Sequence, residues 1–193
     1  MAVNPSNALV IKELVIGGVR SGKSAYAEQR AKRRGVPVTY IATASVGDAE
    51  MESRIALHRE RRPVDWVLVE EPVLLADMLL RYAAPDRCLI VDCLTLWLTN
   101  LLCAGNDFNA SASEFRVNHL MLARERGKLL EVLPNLPGSI ILVSSEVGMG
   151  IVPMGELSRV FCDEMGLLNQ SVAEICDCVT LIVAGLSHHL KRP

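Results

Sequence analysis

The stretch GGVRSGKS, Gly17 to Ser24, constrains this chain more than any other. It follows a short apolar run, ELVI, and precedes a segment of helical period, so a strand, a loop and a helix are expected in that order. Gly17, Gly22, Lys23 and Ser24 meet the spacing G-x-x-x-x-G-K-[ST]. Glycines let the backbone curl until successive N–H groups converge on one oxyanion, and the helix start adds its positive dipole end. The expected phosphate contacts are therefore Gly17, Gly18, Val19, Arg20, Ser21, Gly22, Lys23 and Ser24. Lys23 brings a point charge to the β and γ phosphates of a nucleoside triphosphate, and Ser24 a hydroxyl ligand for Mg²⁺.

Around this loop, short Val-, Ile- and Leu-rich runs alternate with helical segments along the whole chain. Strands are expected near Glu13 to Ile16, Val38 to Ala42, Trp66 to Val69, Cys88 to Val91, Ile140 to Ser144 and Val179 to Val183. Helices are expected near Lys23 to Arg34, Ala49 to Arg61, Val73 to Tyr82, Leu94 to Leu102, Glu114 to Leu133 and Gly155 to Ile175. AGNDFNASA, Ala104 to Ala112, reads as a surface loop. With 193 residues, 50 % of them hydrophobic and only 4 % aromatic, one aliphatic core between layers is expected. The fold class is α/β: a P-loop NTPase-type, mostly parallel, RecA-like sheet of about six to seven strands with helices on both faces, residues 1–193 forming one catalytic domain. Ligands of such sheets sit beyond the carboxyl ends of the strands.

A net charge of −2 gives no reason to expect nucleic acid as a partner. The six cysteines form no CxxC pair and have no histidine at metal-ligand spacing, so free thiols are expected. No basic leader and no apolar run of membrane-spanning length is visible, which leads to a cytoplasmic reading without membrane insertion.

Two further residues carry chemistry. The apolar run CLIVD ends in Asp92, placed to hold Mg²⁺ or its waters, although Asp also suits a helix N-cap. In DAEMESRIALHRERRP, Met51, Ile55 and His58 share a helical face while Arg59, Arg61 and Arg62 crowd around the histidine. On these residues alone a packed or solvent-facing histidine is the plainer reading. The chemical alternative is a neutral imidazole, favoured by neighbouring cations, acting as nucleophile toward a phosphate gathered by the arginines.

Taken in order, GGVRSGKS, YIATA, EMESRIALHRERRP, LIVDCLTLWLTNLL, EVGMGIVP and Asn169-Gln170 resemble the bifunctional adenosylcobinamide kinase/adenosylcobinamide-phosphate guanylyltransferase family of cobalamin biosynthesis. The resemblance implies phosphorylation of adenosylcobinamide by ATP or GTP, then transfer of GMP from GTP onto adenosylcobinamide phosphate through a guanylylated histidine, here His58. It also implies nucleotide contacts from Ala42, Thr43 and Ala44, from Arg59, Glu60, Arg61 and Arg62, and from Glu70 and Asp92, and a homotrimer. A small-molecule kinase lacking the transferase step, and a P-loop switch acting through partners, are the alternatives. Ser145, where the family often has Asn, and Cys162, where Arg is common, depart from the pattern.

Overall fold

The computed structural model describes residues 10–45, 63–106 and 116–193. Along the chain these form β1 (Lys12–Gly17), α1 (Lys23–Lys32), β2 (Val38–Ala42), β3 (Val67–Glu70), α2 (Leu75–Tyr82), β4 (Cys88–Asp92) and α3 (Leu94–Cys103). They continue with α4 (His119–Val132), a short 3₁₀ turn (Leu133–Asn135), β5 (Ser139–Val143), α5 (Glu156–Ile175), β6 (Cys178–Val183) and β7 (Leu186–Lys191). The expected helix over Ala49 to Arg61 and most of the loop over Ala104 to Ala112 lie outside the described residues.

The strands make one seven-stranded sheet in the order β3-β2-β4-β5-β1-β6-β7, parallel throughout except for the β6–β7 pair. Strands β1, β2, β4 and β5 are buried on both faces, which is why they appear in the sequence as continuous aliphatic runs rather than alternations. On one face Ala27 and Ala31 of α1 close over Val15, Tyr40, Ile90 and Ile141. On the other, Leu79 of α2, Trp97 and Leu101 of α3, Leu129 of α4 and Leu168 of α5 cover Leu14, Leu89 and Leu142. Helices therefore lie on both faces, as the alternating pattern predicts.

Two differences from the sequence reading have physical causes. Helix α4 begins at His119 rather than near Glu114, because the Asn118 side chain accepts a hydrogen bond from Met121 N at 3.0 Å and caps the helix there. The seventh strand, β7, is exposed along its whole length and carries no buried stripe for a period to reveal. It is made by a two-residue turn in which Ala184 and Gly185 both take positive φ, 52° and 80°, the twist that suits a tight hairpin.

Because six neighbouring strands run the same way, the segments following β1 to β5 gather on one edge of the sheet. The helix that leads away from the loop after β1 is pinned from below by a buried carboxylate. Glu13, fully buried on β1, accepts from Arg30 Nε at 3.0 Å, from Thr180 Oγ1 at 3.1 Å and from Tyr26 OH at 3.4 Å. These bonds tie α1 to β1 and β6 at the end away from the P-loop, and they satisfy a charge whose burial alone would be costly.

Gly17 ends β1 with φ 153°, and a Cβ there would stand 2.3 Å from the Ile182 carbonyl oxygen on β6. The chain can turn here only without a side chain. Gly17→Ala is accordingly expected to destabilise the fold by roughly 3 kcal/mol, seen as a lower denaturant midpoint; an unchanged midpoint would mean that β6 yields.

Candidate active site

Between Gly17 and Ser24 the chain turns back on itself, with Ser21 N donating to Gly18 O at 3.3 Å. Arg20 takes φ 55° and Gly22 φ 101°, and the Gly22 carbonyl accepts the first helical bond of α1, from Tyr26 N at 3.0 Å. The amides that open α1 have no partner within the helix and face the loop, which is what an anion needs. Neighbouring segments hold the loop from outside: Glu146 N donates to Gly17 O at 3.1 Å, and Gly185 N to Ser21 O at 2.9 Å.

Two side chains fit this cradle to a polyanion. Ser21 Oγ is buried and has no hydrogen-bond partner among the described residues. Lys23 is half-buried and bends back to donate from Nζ to the Gly18 carbonyl at 2.6 Å. Burial lowers the Lys23 ammonium below its ordinary value, and the nearby Cys93 and Asp92 only partly offset this. An arriving phosphate would restore what burial takes away.

Across β5 from the P-loop, Asp92 ends β4 and receives a hydrogen bond from Tyr40 OH on Oδ2. The helix-cap position before α3 belongs to Cys93, not Asp92. Asp92 thus faces the same edge as Lys23 and Ser24. Among the described residues no three His, Cys, Asp or Glu side chains cluster to hold a metal on their own.

The strand-end residues after β2 and β3 are brought to this edge as well. Thr43 is fully buried; its Oγ1 donates to Cys93 O at 2.6 Å and accepts from Cys93 N at 2.8 Å, while its own N donates to Asp92 O at 3.1 Å. Ala42 pairs in register with both Asp92 and Glu70, so the ends of β2, β4 and β3 lie side by side. His58, Arg59, Glu60, Arg61 and Arg62 lie outside the described residues.

Sequence reasoning missed the residues that fasten these loops. Asn100 Nδ2 on α3 donates to Thr43 O at 2.8 Å and to Pro72 O at 3.0 Å, and Thr95 Oγ1 accepts from Ser145 N at 2.8 Å. Asn169, buried on α5, accepts from Ser144 Oγ at 2.6 Å and donates to Ser145 O at 3.0 Å. Ser145 is thus held at both its main-chain N and its main-chain O. Cys162 Sγ lies 4.0 Å from Val147 O.

Burial first, then the Asp92 carboxylate, pushes the Cys93 thiol up to about 11. Burial also raises Cys88 to about 11 and Cys176 to about 12. A folded-state value above the unfolded one leaves stability untouched at lower pH and removes it as pH rises through that interval. Thermal melts are therefore expected to hold steady below the ordinary thiol value of 9.0 and to fall between there and about 11. A melting temperature insensitive to pH over this range would show that these thiols ionise freely.

A family model described as cobinamide kinase / cobinamide phosphate guanyltransferase matches residues 13–190. The chain belongs to this family. It is similar over 181 residues, at 52 % identity, to the bifunctional adenosylcobalamin biosynthesis protein CobP of Pseudomonas aeruginosa, covering 94 % of this chain and 98 % of that one. The bifunctional adenosylcobalamin biosynthesis protein CobU of Salmonella typhimurium is 37 % identical over 185 residues, covering 92 % and 98 %. Among solved structures, a prototypical ATPase from a bacterial type III secretion system superposes with TM-score 0.52 at 13 % identity, over 93 % of this chain and 56 % of that one. The assembled ATPase EscN of enteropathogenic E. coli gives TM-score 0.50 at 14 % identity, over 91 % and 43 %. These two likenesses establish a P-loop ATPase fold and nothing further. Membership of the cobinamide family makes the chain a bifunctional kinase and guanylyltransferase of cobalamin biosynthesis.

Proposed function

We propose that both reactions share the P-loop edge and that His58 carries GMP between them. The observation that supports a shared seat is the cradle itself: a buried, unpartnered Ser21 hydroxyl and a half-buried Lys23 ammonium in one loop, beside Asp92. In the kinase step the hydroxyl oxygen of adenosylcobinamide attacks the γ phosphorus of ATP or GTP. The bridging P–O bond breaks and the hydroxyl proton is released. The protein's share is to align donor and acceptor and to spread charge over Lys23 and the loop amides.

In the transferase step a neutral His58 nitrogen attacks the α phosphorus of GTP and pyrophosphate leaves. A phosphate oxygen of adenosylcobinamide phosphate then attacks the same phosphorus, the P–N bond breaks, and His58 returns to its neutral form with adenosylcobinamide-GDP released. Two accessible displacements replace one hard one. Ala42, Thr43 and Ala44 permit close approach of the nucleotide, the run Arg59, Glu60, Arg61 and Arg62 supplies further nucleotide contacts with Arg59 and Arg62 pairing with phosphate oxygens, and Glu70 accepts from a guanine edge or a ribose hydroxyl.

Ser24 and Asp92 are the residues that would hold Mg²⁺, with phosphate oxygens completing its shell, since this ion takes few protein ligands. When bound it neutralises charge on the phosphates. In this reading one domain works in the cytoplasm as a homotrimer without nucleic-acid partners; no helix among the described residues is long and apolar enough to cross a membrane.

The test is to incubate the full chain with adenosylcobinamide, GTP and Mg²⁺ and to separate the corrinoids. Adenosylcobinamide phosphate should appear first and adenosylcobinamide-GDP after it. Accumulation of the phosphate alone would leave a kinase, and nucleotide turnover indifferent to corrinoid would sink both steps.

A further inference from the structure

Asp92 is fixed by one residue of β2 and one residue just after it. Thr43 holds the main chain on both sides: its N donates to Asp92 O at 3.1 Å, and its Oγ1 accepts from Cys93 N at 2.8 Å. Tyr40 holds the side chain, its OH donating to Asp92 Oδ2. Among the described residues no hydrogen bond falls on the other carboxylate oxygen, Oδ1.

The sheet register brings this pair together. Tyr40 lies opposite Ile90 and Ala42 opposite Asp92, so Tyr40 and Asp92 share one face of the sheet, the face that α1 covers. Helix α1 starts with Lys23 and Ser24, and Asp92 is near enough for its charge to act on the Lys23 ammonium. The Tyr40 ring is firmly held. It is 1 % exposed, shares a core cluster with Ala27, Ala31 and Ile90, and stacks on Trp66 with ring centroids 6.4 Å apart. Phenylalanine would fill the same space, so the hydroxyl adds its hydrogen bond to Asp92 rather than bulk.

We propose that Tyr40 is a positioning residue for the phosphate site: by occupying Oδ2 it turns Asp92 so that Oδ1 is presented to the cation that accompanies the nucleotide. The proposal rests on the reading of Asp92 and Ser24 as the residues that would hold Mg²⁺. The donor set suits that ion, a carboxylate oxygen and a hydroxyl on one face of the sheet, both hard oxygen ligands. Mg²⁺ demands near-octahedral geometry, so a carboxylate that can rotate is a poorer ligand than one already turned. Loss of a hydrogen bond that orients a metal ligand typically costs about 10- to 100-fold in metal affinity.

Tyr40→Phe is the deciding variant, because it keeps the ring and its stack on Trp66 and removes only the hydroxyl. Mn²⁺, standing in for Mg²⁺, is titrated into the full chain held in excess over a non-hydrolysable ATP analogue, and free Mn²⁺ is followed by electron paramagnetic resonance. The half-saturating Mn²⁺ concentration is expected to rise by about 10-fold. Phosphorylation of adenosylcobinamide by ATP should slow at low Mg²⁺ and return to within about threefold of wild type at saturating Mg²⁺, a rescue that a purely structural role would not give. A thermal melt accompanies each variant. Wild-type Mn²⁺ affinity in Tyr40→Phe, or a slowed rate that Mg²⁺ does not restore, would overturn the proposal. Asp92→Asn checks the reading beneath it: wild-type Mn²⁺ affinity in that variant would instead remove Asp92 as the metal ligand.

Discussion

Lys23→Ala is expected to lower both activities by roughly 10³-fold while leaving the fold intact, because the two reactions draw on one ammonium and on the same loop amides. The structural side of this is unusually favourable to the experiment. Lys23 is half-buried, its charge is disfavoured by burial, and its side chain donates back to the Gly18 carbonyl. Among the described residues Lys23 makes no ion pair whose removal would unsettle the fold. Its value lies in the complex, where the phosphates are close and water is displaced. Steady-state assays of cobinamide phosphorylation and of GMP transfer, with a thermal melt as control, check this. A variant that loses one reaction and keeps the other would separate the two seats.

His58→Ala should behave differently, and the contrast is what identifies the histidine. Adenosylcobinamide phosphorylation is expected to continue within a few-fold of wild type, since that step needs alignment and charge but no covalent group from the protein. GMP transfer should fall by about 10³-fold or more, because the displacement is no longer split in two at the histidine. Assays fed with adenosylcobinamide and with adenosylcobinamide phosphate distinguish these outcomes. Equal loss of both would make His58 a binding residue of the shared phosphate seat.

The P-loop and Asp92 were legible in the sequence because the information is local. Gly17, Gly22, Lys23 and Ser24 stand within eight residues, and Asp92 closes its own aliphatic run, CLIVD. The parallel sheet followed from runs such as CLIVD and SIILV, which only make sense when both faces are covered. Strand β7 was not legible. Its residues LSHHLK are exposed at the sheet's edge, and its Ala184-Gly185 turn lacks the Asn or Asp that usually marks such a hairpin.

The fasteners were hidden for another reason. Asn100 meets Thr43 across 57 residues and Asn169 meets Ser145 across 24, and in each case the partner is a main-chain carbonyl with no residue-type signature. The signal available was polarity out of place: Thr95, Thr99 and Asn100 inside an otherwise apolar helix, and Asn169 sharing the buried face of α5 with Met165, Leu168 and Val172. A polar residue on a buried stripe needs a partner, and here that partner is the loop beside the site. Ser145 is likewise held through its backbone, its N donating to Thr95 Oγ1 and its O accepting from Asn169 Nδ2.

The most direct test of the account is the intact mass of the protein after incubation with GTP and Mg²⁺, before and after brief acid treatment. The wild-type chain should carry one GMP, lost in acid as a phosphorus–nitrogen bond requires, and His58→Ala should carry none. A wild-type chain that binds GTP yet gains no mass, or an adduct that persists in His58→Ala, would contradict the covalent route at the centre of this account.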